Sequence, residues 1–115
     1  MGKMSKNKGK VGERELAAEL RRLLGIEARR GVQYCGSPNS PDVVADISGV
    51  HVEIKRTERL SLYSAMRQTV GDAGTDKVPM VFHRQNREEW LAIVRLNDLP
   101  ELVNHLSALK KNNGE

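Results

Sequence analysis

Residues 41–56 read Pro41-Asp42-Val43-Val44-Ala45-Asp46-Ile47-Ser48-Gly49-Val50-His51-Val52-Glu53-Ile54-Lys55-Arg56, and the fold turns on how this stretch is divided. Ser48-Gly49 is a tight turn signal between two runs rich in β-branched residues. The reading is a β-hairpin, with one strand over about Asp42–Ile47 and the next over Val50–Lys55. With a two-residue turn, Ile47 lies opposite Val50, Val44 opposite Glu53 and Asp42 opposite Lys55. Opposed residues point to the same face of a sheet. Asp42, Glu53 and Lys55 therefore share one face, while Val43, Ala45, Val52 and Ile54 fill the other. Asp42 and Glu53 become diagonal neighbours, with backbones roughly 7–8 Å apart, near enough for their carboxylates to converge on one cation.

Upstream, Leu16, Ala17, Leu20 and Leu23/Leu24 recur at helical spacing, which predicts a helix from about Lys10 to Leu24, stopped by Gly25. Glu13 precedes Leu16 and Ala17 by three and four residues, so it sits one turn along the buried face. A carboxylate on an apolar stripe is costly unless it is paired or metal-bound. Glu15 and Glu19 fall elsewhere and read as solvated charges. Residues 1–9 read as a flexible basic arm. A short extended piece, about Gly31–Tyr34, leads into the loop Gly36-Ser37-Pro38-Asn39-Ser40-Pro41, which is dense in turn residues.

Downstream, Ser61 is a good N-cap for a second helix ending near Ala73, with Leu62, Met66, Val70 and Ala73 as its apolar stripe. Val78–His83 is a buried-type strand, Arg84–Glu88 a polar turn and Trp90–Leu96 another strand. Asp98-Leu99-Pro100 opens a C-terminal helix with Leu102, Leu106 and Leu109 inward, and residues 112–115 form a tail. The order α-β-β-β-α-β-β-α gives a mixed central sheet flanked by helices, an α/β or α+β domain spanning residues 10–111.

At 115 residues the expectation is a single domain, because a chain this short cannot build two cores. No apolar run approaches the roughly 20 residues of a membrane span, and the N-terminus lacks the apolar stretch of a signal peptide. The one cysteine, Cys35, fits a reducing cytoplasm. It has no CxxC partner, and His51, His83 and His105 are scattered, which argues against structural zinc. The net charge is +4. Residues 1–30 hold nine Lys/Arg against four Glu, whereas the remainder holds ten against eleven acids. A basic excess so placed suits a polyanionic partner.

Carboxylates gathered around a gap suit Mg2+, a hard ion that takes oxygen ligands and keeps waters for chemistry. Such an ion polarises a phosphoryl oxygen and lowers the pKa of a bound water. A lysine beside it supplies a compact positive charge for the charge that develops during reaction. Glu53-Ile54-Lys55 delivers ligand and lysine to one face because a strand repeats its facing every two residues. The Ile54 carbonyl is a candidate further ligand. Taken alone, an alternating charged strand ordinarily marks a solvated sheet face. The combination of an inward Glu13, Pro41-Asp42, a ten-residue gap and Glu53-x-Lys55 argues otherwise.

This combination resembles the PD-(D/E)xK nuclease superfamily, whose αβββαβ restriction-endonuclease-like core matches the predicted order. Within it, Lys8-Gly9-Lys10-Val11-Gly12-Glu13-Arg14-Glu15, Arg29-Arg30-Gly31 and the serine-containing loop before Asp42 are similar to archaeal and phage Holliday-junction resolvases. The resemblance implies a Mg2+-dependent endodeoxyribonuclease, with Mn2+ able to substitute, acting on branched DNA as a homodimer. It assigns metal ligation to Glu13, Asp42 and Glu53, and a catalytic role to Lys55. It also draws attention to a loop serine, for which Ser37 and Ser40 both qualify.

Several further residues are candidates for DNA contact. Lys8 and Lys10 lie in the basic segment, Arg29 and Arg30 beside the expected site, and Arg56 and Arg59 just after the lysine. Arg84 and Arg87 would form a basic hairpin tip suited to phosphate contact. Gln68 on the second helix is a candidate accessory residue, against the reading of a surface glutamine. His51 shares the Glu53 face and reads as a sheet-face histidine rather than a ligand. Tyr34, Tyr63, Phe82 and Trp90 are too few for base-stacking platforms, and Phe82 and Trp90 read as core or interface. The competing functions are another nuclease on this fold, such as a nickase, repair or restriction-like enzyme, and a non-catalytic DNA-binding protein.

Overall fold

The computed structural model describes residues 2–25, 29–30, 43–44 and 47–112. Cys35, Ser37, Ser40, Asp42 and the rest of the loop before the hairpin lie outside the described residues. The chain divides between Asp46 and Ile47 into two compact units, and each is described by itself.

In the first unit, α1 covers Gly2–Leu24 and ends where Gly25 takes a positive φ of 70°. The Gly25 amide closes the last turn by donating to the Arg21 carbonyl at 3.0 Å. Burial follows the predicted stripe through Leu16, Ala17 and Leu20. It stops there: Leu23 is 63% exposed, so the apolar periodicity outruns the surface that covers it. The helix also begins eight residues earlier than the expected Lys10. Lysines are good helix formers, and extending a helix already nucleated adds one hydrogen bond per residue fixed. Two short strands follow, β1 (Arg29–Arg30) and β2 (Val43–Val44), paired antiparallel with Arg29 opposite Val44 and Arg30 opposite Val43.

The second unit holds a three-stranded mixed sheet in the order β3-β4-β5. Strand β3 is Val50–Arg56, β4 is Val78–Arg84 and β5 is Leu91–Val94. β3 and β4 run parallel, with Glu53 level with Val81 and Lys55 with His83. β4 and β5 run antiparallel, with Val81 opposite Ile93. Parallel neighbours need a long crossover, and α2 (Leu62–Ala73) supplies it. Ser61 stands at its N-cap in extended conformation, although its side chain makes no capping hydrogen bond. Ala65, Met66 and Thr69 are the buried positions of α2. A 3-10 turn over Leu96–Asp98 leads into α3 (Leu99–Asn112), where Leu102 is buried and Leu106 and Leu109 are half-buried. The core of this unit is Ile47, Val50, Ala65, Met66, Val78, Met80, Val81, Phe82 and Leu102. This is an α+β arrangement of helices on a mixed sheet, consistent with a restriction-endonuclease-like core. Among the described residues no helix is long and apolar enough to cross a membrane.

The turn before β3 forms as a one-bond reversal, in which the Val50 amide donates to the Ile47 carbonyl at 3.0 Å. Positive φ falls on Gly49 alone, at 83°. That is the type II requirement, not the doubly positive type I′ preferred in two-residue hairpins, and type II turns splay the flanking strands. The turn read from Ser48-Gly49 is therefore present, but the hairpin pairing expected across it is not: Val44 pairs with Arg29 of β1 and Glu53 with Val81 of β4, and β2 and β3 belong to different sheets. Because Asp42, Ala45 and Asp46 lie outside the described residues, the convergence of Asp42 with Glu53 stands as a proposal.

Candidate active site on strand β3

Alternation along β3 sends His51, Glu53 and Lys55 to one face and Val50, Val52, Ile54 and Arg56 to the other. Residues level with one another in adjacent strands share a face, so Pro79, Val81 and His83 continue the first face across β4. That face is not open to solvent. Val81 is fully buried at 0% exposure, and Pro79 is also among the most deeply buried residues. The side chains of Glu53 and Lys55 are only 23% and 28% exposed, and Lys55 Nζ stands 3.6 Å from Glu53 Oε2. The other carboxylate oxygen, Oε1, lies 3.9 Å from His51 Nε2. One half-buried carboxylate is thus flanked by an ammonium and an imidazole from its own strand. Burying two charges is costly, and their attraction offsets that cost only with good geometry and further hydrogen bonds. Half-burial of both charges marks this pair as more than surface decoration.

Asp72, in the last turn of α2, also reaches this face. Its carboxylate, the His51 imidazole and the Glu53 carboxylate offer ligand atoms that lie within 4.8 Å of one another. The sequence pattern marks His51 only as a sheet-face residue. Asp72 was not anticipated at all, since it lies 19 positions from Glu53 in the sequence and its orientation depends on how α2 rolls against the sheet. An aspartate in the last turn of a helix opposes the macrodipole, which was the one available local signal.

The carboxyl ends of β3 and β4 are strapped together by backbone and side chains. The Thr57 amide donates to the Arg84 carbonyl at 3.2 Å, and His83 Nε2 donates to the Thr57 carbonyl at 2.9 Å. Gln85 Nε2 donates to the Glu58 carbonyl at 2.8 Å, and the Asn86 amide donates to the Glu58 carboxylate at 2.7 Å. These contacts hold the segment after Lys55 against the turn after β4. Arg84 Nε donates to the Glu88 carbonyl at 2.6 Å and Arg56 Nη1 to the Arg84 carbonyl at 3.5 Å. Both guanidinium groups therefore spend donors on the protein backbone. Arg59 and Arg87 are exposed, and Arg87 adopts a positive φ of 66° in the turn. Gln68 is exposed on α2.

Of the remaining candidates, Glu13 is half-buried on α1, one turn before Leu16 and Ala17, where the periodicity put it. The backbone of Lys8 and Lys10 belongs to α1, and that of Arg29 and Arg30 to β1. Ile54 lies on the face opposite Glu53, with its carbonyl in the strand. Asp42, Ser37 and Ser40 lie outside the described residues.

A family model described as "Phage putative PDDEXK endonuclease" matches residues 4–113. The chain belongs to this family. The match runs from the first turn of α1 through α3, and it agrees with membership of the PD-(D/E)xK nuclease superfamily. No curated protein and no solved structure matches the chain.

Proposed function

We propose that this phage PDDEXK family member is a divalent-metal-dependent DNA endonuclease that hydrolyses phosphodiester bonds in branched DNA, in the manner of a Holliday-junction resolvase. The observation that carries the reading is the Glu53–Lys55 pair at 3.6 Å, held half-buried beside a fully buried Val81. Such a pair is weak evidence for stability, since apolar residues would fill the same space at least as well. It has a chemical use in a nuclease.

The donor chemistry fits the ion. Glu53 offers carboxylate oxygens, and Asp42, Glu13 and the Ile54 carbonyl are assigned as further oxygen donors, the ligand type that Mg2+ and Mn2+ take. When bound, the ion polarises a phosphoryl oxygen and lowers the pKa of a coordinated water. Lys55 supplies the compact cation that stabilises the charge developing on the phosphate, and it holds the attacking water's orientation. Glu53 positions Lys55 in the free protein. Arg29, Arg30, Lys8, Lys10, Arg59 and Arg87 are assigned to phosphate contact, with Ser37 or Ser40 near the scissile bond. The active form is a homodimer, which delivers two sites to a symmetric junction, and the protein acts in the cytoplasm of the host cell.

The experiment is a substrate panel. Purified protein is incubated with four-way junction, flap, linear duplex and single-stranded DNA, with Mg2+ or with chelator. Paired symmetric nicks on the junction, dependent on the metal, are the expected result. Cutting of flaps or duplex in preference would make it another nuclease of the fold. Binding without cutting, unaffected by Asp42→Ala, would make it a DNA-binding protein.

A further inference from the structure

The Glu53 carboxylate divides its two oxygens between unlike neighbours. Oε2 faces the Lys55 ammonium, and Oε1 faces His51. His51 Nε2 is buried and has no hydrogen-bond partner. A buried ring nitrogen left unmatched is costly and calls for an explanation. Asp72 closes the third side, with its ligand atom within 4.8 Å of the other two. Donor atoms around one small divalent ion, at bonds of roughly 2.0–2.2 Å, lie about 3.0–4.4 Å apart. The observed spacing needs only a small side-chain rotation, and Asp72 is exposed and free to make it. The end of α2 reinforces the preference for a cation. Its last turn holds no basic residue, so the negative end of the helix and Asp72 both favour positive charge there.

We propose that His51, Glu53 and Asp72 form a mixed nitrogen–oxygen site for a divalent transition-metal ion. Imidazole is a borderline ligand that suits first-row transition metals, whereas Mg2+ takes oxygen. The site therefore discriminates against Mg2+ through His51. Glu53 is common to this site and to the hydrolytic centre, and that sharing rests on the function proposed above. The three-ligand site does not. Through the shared carboxylate, an ion held by His51 and Asp72 fixes the rotamer of Glu53 and weakens its hold on Lys55.

The test uses the full chain without DNA. Mn2+ is titrated in and followed by electron paramagnetic resonance, and the bound ion is examined by electron spin-echo envelope modulation for coupling to a ligand 14N. Wild type is expected to bind Mn2+ with a clear 14N signal. His51→Gln loses that signal, and Asp72→Asn keeps it but weakens binding about tenfold or more, the scale at which metal sites respond to a lost contact. Lys55→Ala keeps the signal and binds Mn2+ at least as tightly as wild type, because Glu53 is released from its contact with Lys55. Circular dichroism establishes that each variant is folded, and Asp72, being exposed, tests the site without disturbing the core. Bound Mn2+ without 14N coupling, coupling that survives His51→Gln, or unchanged affinity in Asp72→Asn would each overturn the site. If wild type shows the coupled ion but cuts no DNA, this site stands and the nuclease function falls. If it cuts with Mg2+ but shows no coupling, the function stands and this site falls.

Discussion

Strands β3 and β4 lie side by side in one register, yet they spend the same face in opposite ways. β4 places Pro79 and Val81 there, both buried, and turns polar only at its end with half-buried His83. β3 places His51, Glu53 and Lys55 at or beside the same levels, half-buried and in mutual contact. Were this a solvated face, β4 would be polar as well. Were it simply core, β3 would be apolar. The contrast teaches that the charges of β3 are held against the energetic preference of their surroundings, which is how sites for chemistry differ from sites for packing. Substitutions in β4 should therefore act on stability and those in β3 on chemistry.

The largest expected effect lies on the packing strand. Phe82, at 4% exposure, should lose roughly 3–5 kcal/mol of stability on substitution by alanine. Denaturant unfolding measures this, and a loss under about 1 kcal/mol would break the contrast. Next comes the turn that aims β3. Gly49→Ala forces a side chain into a φ of 83° and into the His105 ring. It should cost about 1–3 kcal/mol, and thermal unfolding would register it. Little or no shift in Tm would mean that the turn does not set the strand. The smallest effect on stability is the most telling. The paired replacement Glu53→Leu with Lys55→Met should leave stability unchanged or raise it by on the order of 1 kcal/mol, with cleavage abolished. A marked fall in Tm would show that the pair is structural.

Much of this was legible in the sequence because it depends on local rules. Ser61 and Gly74 bracket α2, the run from Val78 to His83 is apolar enough to be a buried strand, and Glu13 follows from the spacing of Leu16 and Ala17. Glu53 and Lys55 share a face because β periodicity is two, whatever the strand pairs with. Other features depend on tertiary choices that no local pattern records. The register that brings Asp42 opposite Lys55 assumes that the strands flanking Ser48-Gly49 pair with each other, whereas β2 pairs with β1 and β3 with β4. Arg84 and Arg56 have the charge for phosphate contact, and each also gives one N–H to a backbone carbonyl where the strand ends meet, a contact no local pattern records. Asp72 reaches Glu53 through the packing of α2, which spans the interval between β3 and β4 and whose rotation is set by Ala65, Met66 and Thr69 together.

The central claim is tested most directly by single-turnover cleavage of four-way junction DNA in Mg2+ by Lys55→Ala, with DNA affinity measured on the same preparation. A cleavage rate at least about 1,000-fold below wild type, the scale of losing an electrostatic stabiliser of the transition state, with Kd changed by less than about threefold because a lost contact specific to the transition state leaves binding intact, is the predicted result. A variant that cuts at the wild-type rate would contradict it.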